Sequence, residues 1–258
     1  MIIVTGNRRS GTSLWMQILE AGGFKIFGDK FPAHWKKIEA ANKNGFYESQ
    51  LVQGINYHTN PSPESGHWFA PTQVKDYGVK VFSDGLVKTD FAYIDKVIAT
   101  IRNWQESETS QQRLDQIIKN QNNAADDINV NATKLILPIG YNWWNANFEL
   151  LRDMMTRRYP CAMFSYEALL KNPDIIISNV FKWLGTGHID KAVSVVESSL
   201  RTQQKITLPH INHDHAGIFD ELYHKLDKSE QITPIFYKKL LDTNSKIKDE
   251  IAQLSSRT

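Results

Sequence analysis

Between residues 6 and 13 the chain reads GNRRSGTS, two glycines, two arginines and three further side chains that carry a hydroxyl. Gly6 and Gly11 allow a turn tight enough for successive backbone N–H groups to surround an anion, and Ser10, Thr12 and Ser13 can donate further hydrogen bonds. On one side lies IIVT, a short apolar run. On the other, Leu14, Trp15, Ile18 and Leu19 recur at helical spacing until Gly22-Gly23. A strand, a glycine turn and a helix N-terminus in that order predict a phosphate-like guest, held by free amides and the positive end of the helix dipole. The spacing of Gly6, Gly11, Thr12 and Ser13 approaches G-x-x-x-x-G-K-[ST], but Thr12 stands where a lysine would reach terminal phosphates. The cation must then come from Arg8 or Arg9, which argues against an ordinary ATP or GTP site.

The elements around this loop follow from hydrophobic periodicity. Residues 77–83 (YGVKVFS) and 96–102 (KVIATIR) are β-branched, apolar runs of strand length, and 163–167 (MFSYE) is a weaker third. Helical patterns cover about 104–120 and 142–158. Pro173 suits the first turn of IIISNVFKWLG, where Ile176, Val180, Phe181 and Leu184 share a face before Gly185. From about residue 188 the pattern is mostly helical. Strands alternating with helices predict an α/β fold: a mainly parallel sheet flanked by helices, a P-loop-like three-layer architecture with a helical C-terminal third. No linker divides the chain, so residues 1–258 are expected to form a single domain, with 121–131 (QNNAADDINVN) an exposed loop.

Composition narrows the functional classes. Hydrophobic residues at 41% and charged residues at 22% are ordinary for a soluble globular protein, and no apolar run is long enough to span a membrane. The first apolar stretch is only IIV, so no secretory signal is expected. Thirty basic residues against twenty-eight acidic leave a net charge of +2, which gives no electrostatic footprint for nucleic acid. A single cysteine, Cys161, excludes an internal disulfide and fits a reducing, cytoplasmic setting; within CAMF it reads as a structural thiol. Oligomeric state is not legible.

The string RRSGTSLW resembles the phosphosulfate-binding loop of sulfotransferases that use 3′-phosphoadenosine 5′-phosphosulfate (PAPS), in which a basic residue, here Arg9, precedes Ser-Gly-Thr. A second signature of that family is an arginine ending a later strand with a serine eight residues on. Arg102 and Ser110 match it. A third is FSYEALLKNPDIIISNVFKWLG, residues 164–185, similar to the family's Tyr-Glu-x-Leu, Asn/Asp-Pro and Phe/Trp-Leu-Gly, and a weaker fourth is NKNGFYE at 42–48. The resemblance spans residues 2–185. It implies that Arg8, Arg9, Ser10, Gly11, Thr12 and Ser13 hold the phosphosulfate, that Arg102 and Ser110 hold the 3′-phosphate, and that Tyr166 lies near the adenine. It also implies no required metal, and a small-molecule, glycan or lipid acceptor. The chain departs from the family pattern at Trp104, where proline is common two residues after the arginine. Lys80-Val81-Phe82 stands where cytosolic members carry Lys-Thr-His. No late Arg-Lys-Gly segment is present, and Arg201 is the candidate substitute.

Sulfuryl transfer, like phosphoryl transfer, builds charge on the oxygen bridging to the leaving phosphate, so Arg9, the loop amides and Lys80 are the groups that would stabilise it. A hydroxyl acceptor needs a base; Glu48, His34 and Asp84 are the candidates, with Glu48 preferred for closing NKNGFYE. A nucleotide-dependent phosphotransferase and a non-catalytic nucleotide-binding relative are the competing readings. His210, His213 and His215 in HINHDH do not have a usual zinc spacing. Trp35, Trp68, Phe69, Trp143 and Trp144 would line an acceptor cleft or pack the core, and residues 230–255 read as an amphipathic helix packed on the sheet.

Overall fold

The computed structural model describes residues 1–32, 42–122, 137–196 and 214–256. Its centre is Ile2–Thr5, strand β1, whose four residues are all buried. The glycine loop follows, then helix α1 over Thr12–Ala21, ended at Gly22. β2 (Lys25–Phe27) is a strand that periodicity did not reveal: three residues with a lysine among them are too few to show alternation, and pairing with β3 (Tyr77–Lys80) defines it. β4 covers Lys96–Ile101 and β5 Cys161–Ser165. All pairings are parallel, in the order β2-β3-β1-β4-β5. The expected α/β architecture is therefore present, with the loop-bearing strand in the middle of the sheet.

The strand boundaries are shorter than the apolar runs. Ser83 opens a one-turn helix, α2 (Ser83–Leu86), and Tyr166 opens α5 (Tyr166–Lys171) rather than closing a strand, because Ser165 caps that helix by accepting from the Ala168 amide. Between them run α3 (Trp104–Asn122) and α4 (Tyr141–Arg157). Pro173 begins α6 (Pro173–Leu184), and Gly185, at φ 87°, ends it. α7 (Ile189–Val193), α8 (Ala216–Asp227) and α9 (Pro234–Ser255) complete the described chain. Residues 121 and 122 finish α3; the rest of the expected exposed loop, with His34, Trp35, Arg201, His210 and His213, lies outside the described residues.

Strand alternation divides the core between the two faces of the sheet. Ile3, Val79, Val97 and Ala99 face Leu86 and Leu150, while Ile2, Val4 and Ile98 face Trp15, Leu19 and Phe181. A third cluster, built by Trp143, Trp144, Phe148, Phe219 and Leu240, joins α4 to α8 and α9. Trp143 and Trp144 are thus core residues, and α9 packs on α4 rather than on the sheet. His215 is also buried, with Nε2 3.0 Å from Glu250. Trp68 is 56% exposed, whereas Phe69 packs edge-on against Phe27. Cys161 is half-buried in β5, and desolvation pushes its thiol up to about 12. Among the described residues, no helix is long and apolar enough to cross a membrane.

Candidate functional site

The loop between β1 and α1 is tied down from beneath, with its open side at the C-terminal edge of the sheet. Ser10 is fully buried; its Oγ donates to the Asn7 carbonyl at 2.7 Å, and its own carbonyl accepts from Thr100 Oγ1 at 2.9 Å. Asn7 Nδ2 donates to Ser107 Oγ at 3.0 Å, and Ser107 Oγ donates to the Arg8 carbonyl at 3.3 Å, so α3 grips the loop from the side. Gly11 takes φ 104°, and a Cβ there would lie 2.6 Å from Tyr166 Cδ2, so a glycine is required on both counts. Arg9 occupies the left-handed region at φ 68° although it has a side chain. Such a conformation costs of order 1–3 kcal/mol and persists only where its surroundings impose it. No side chain caps the first turn of α1, which leaves the amides after Gly11 without an intrahelical partner.

Two further elements bring charge to this turn. Lys80, at the end of β3, is 3% exposed. Its Nζ donates to Glu48 Oε1 at 2.9 Å, to the Phe46 carbonyl at 2.9 Å and to Ser13 Oγ at 3.3 Å. The strand face that carries Lys80 is the one covered by α1, so a lysine that alternation alone would allow to point into solvent is instead buried against the loop. Glu48 is held in place by a short antiparallel bridge in which the Asp29 amide donates to the Glu48 carbonyl at 3.1 Å. Tyr47 adds a second anchor, its hydroxyl donating to Glu20 Oε2 on α1 at 2.6 Å. Burial lowers the Lys80 pKa, and Glu48 opposes that shift. Asp84, exposed in α2, has no such setting.

On the other side of the loop, Arg9 Nε donates to Ser110 Oγ at 2.9 Å, joining the loop to α3. Burial lowers the Arg9 pKa, and the neighbouring Arg102 guanidinium lowers it further. Arg102 is 6% exposed at the end of β4, and its guanidinium carbon lies 4.7 Å from the centre of the Tyr166 ring. The same ring lies against Gly11. The residues predicted from separate stretches of sequence, Arg8 to Ser13, Glu48, Lys80, Arg102, Ser110 and Tyr166, therefore form one continuous cluster. Arg8 is exposed and stacks on Phe82, 4.6 Å from the ring centre, with Lys80 Nζ at 5.1 Å from it. Arg201 is outside the described residues.

Periodicity and motifs assign no role to several members of this cluster. Glu106 Oε2 accepts from Arg102 Nε at 3.2 Å and Nη2 at 3.0 Å, and Glu167 Oε1 lies 3.9 Å from Arg102 Nε. The i,i+4 spacing of Arg102 and Glu106 was a legible signal for the first of these contacts. The second depends on β5 lying beside β4, which no local pattern announces. Thr5 Oγ1 and Ser83 Oγ are buried beneath the loop without a hydrogen-bond partner. Among the described residues there is no group of three or more histidine, cysteine or carboxylate side chains that could hold a metal ion.

The arrangement presents cationic groups on both sides of the loop, Lys80 on one and Arg9 with Arg102 on the other. Such a site suits a ligand with two separate anionic groups. The chain matches no protein-family model and no curated protein.

Proposed function

We propose that this chain is a PAPS-dependent sulfotransferase, passing a sulfuryl group by in-line displacement to a hydroxyl or amine of a small-molecule, glycan or lipid acceptor. The observation that carries the reading is the convergence of the glycine loop and Arg102 on one aromatic ring, Tyr166. Gly11 of the loop lies against Tyr166 and Arg102 lies over it, while Arg9 bonds to Ser110. PAPS carries a phosphosulfate and a 3′-phosphate separated by its nucleoside, whereas ATP has no 3′-phosphate.

In this reading Arg9, the first amides of α1 and Lys80 face the oxygen that bridges sulfur and the leaving phosphate, where negative charge grows as that bond breaks. Glu48 receives the acceptor proton as the acceptor oxygen or nitrogen attacks sulfur. The ion pair with Lys80 orients the carboxylate for this role and links it to Ser13 of the loop. Arg102 and Ser110 bind a part of the donor remote from the reacting atoms, and that binding energy positions sulfur for attack. The family assignment, a cytoplasmic setting and transfer without a metal belong to the same proposal.

The test is thermal stabilisation by 3′,5′-adenosine bisphosphate compared with Mg-ATP, followed by transfer of labelled sulfate from PAPS to a panel of hydroxyl and amine acceptors. A ligand at a hundredfold its dissociation constant adds about 2.7 kcal/mol. Arg102→Ala should abolish the bisphosphate response while the chain still folds. Stabilisation by Mg-ATP alone would show a phosphotransferase-type site, and bisphosphate binding without transfer to any acceptor would favour a nucleotide-binding relative.

A further inference from the structure

Arg102 already has a counter-charge in place. Glu106 sits in the first turn of α3, and a single oxygen of its carboxylate accepts from two donors along the Nε–Nη2 edge of the guanidinium, at 3.2 and 3.0 Å. A guanidinium offers its N–H groups in one plane, in a fixed fork. Here one edge of the fork is taken by Glu106, and Tyr166 covers a face. Glu167 is near but committed elsewhere: its Oε2 accepts from the hydroxyl of Tyr223, on α8, at 2.6 Å. Of the two carboxylates around Arg102, Glu106 is the one hydrogen-bonded to the guanidinium, and so the one an anion taking that edge would displace.

Resting on the sulfotransferase reading above, we infer that Glu106 is an internal counter-ion that the ligand's 3′-phosphate displaces from Arg102, and that reclaims Arg102 when the spent nucleotide leaves. The charges explain why displacement is possible. A phosphate monoester near neutral pH carries close to two negative charges and three strong acceptor oxygens, more than one carboxylate offers the same fork. They also explain why it is costly, since the displaced carboxylate stays close to the phosphate. Arg9, beside Arg102, favours the phosphate, and Glu167 opposes it. The effect is a bisphosphate affinity set below what Arg102 alone would give. Because affinity changes at a fixed interface appear mostly in the off-rate, the effect is also faster release of the product nucleotide.

The experiment compares the unmodified chain with Glu106→Gln, which keeps the shape and removes the charge. Calorimetric titration and stopped-flow displacement are run at about pH 7.5, above the second phosphate pKa, with 3′,5′-adenosine bisphosphate and with AMP, which lacks the 3′-phosphate. E106Q should bind the bisphosphate about tenfold tighter and release it correspondingly more slowly, the low end of measured couplings between close charge pairs, with AMP unchanged. Unchanged or weaker bisphosphate binding by E106Q overturns the inference, because Glu106 would then only position Arg102. Equal tightening of AMP also overturns it, showing a general charge effect rather than competition for Arg102. No bisphosphate binding by either chain overturns the co-substrate reading and this inference with it, while binding by E106Q alone supports both. If E106Q fails to fold, Glu106→Asp, which withdraws the charge by one methylene, carries the same expectation.

Discussion

Glu48→Gln removes one member of a buried ion pair and leaves the other. At the observed 2.9 Å and an effective dielectric of about 20, the Lys80–Glu48 attraction is about 6 kcal/mol before desolvation is subtracted. Removing one partner of such a pair costs about 3–5 kcal/mol, because the remaining charge is buried without compensation. Lys80 keeps the Phe46 carbonyl and Ser13 Oγ as acceptors, so the expected loss is about 3 kcal/mol, the low end of that range. At this chain length that corresponds to a fall in Tm of about 6–12 °C. The pH dependence supplies a second check. Burial holds the Lys80 pKa below its unfolded value, so between the folded and unfolded values the unfolded chain binds more protons and stability rises with pH. Without Glu48 the folded value falls further, and this window opens at lower pH. Urea denaturation at about pH 7 and about pH 9.5 should therefore show the gap between wild type and E48Q narrowing at the higher pH, as Lys80 sheds its proton in the variant. A gap that is under about 1 kcal/mol at neutral pH, or that does not change with pH, would refute the burial argument for Lys80.

Two further outcomes follow from the same geometry. Gly11→Ala puts a Cβ 2.6 Å from Tyr166 at φ 104°, and should cost about 2–3 kcal/mol by urea denaturation. G11A combined with Tyr166→Ala should not recover the backbone part of about 1–2 kcal/mol, and full recovery would refute the left-handed assignment. Cys161, with its thiol pushed up to about 12, is almost wholly protonated at about pH 8, so a disulfide reagent should label the folded chain far more slowly than the urea-unfolded chain; equal rates would show an exposed or activated thiol.

Sequence alone was sufficient where the physics is local. The apolar run at 2–5, the glycines at 6 and 11, Pro173 at a first turn and Gly185 at a helix end each act through the conformations of a few adjacent residues, and each appears in the structure at its expected place. The candidate site is legible as a set of residue types, Arg9, Glu48, Lys80, Arg102, Ser110 and Tyr166, but nothing local in the sequence shows that they meet. β2 was not legible, because three residues at the sheet edge take their conformation from pairing with β3. The partners of the charged groups were also beyond local reading. Only the strand order, with β1 between β3 and β4, brings Lys80 and Arg102 to opposite sides of one loop, and only β5 beside β4 brings Glu167 to Arg102. The same is true of Lys80 itself, which periodicity could place on a strand face without saying whether water or α1 covers that face. The sequence determined which groups could bind an anion. Tertiary structure decided which of those charges are buried, which are already paired, and which face the loop, because burial and pairing depend on neighbours that are distant along the chain.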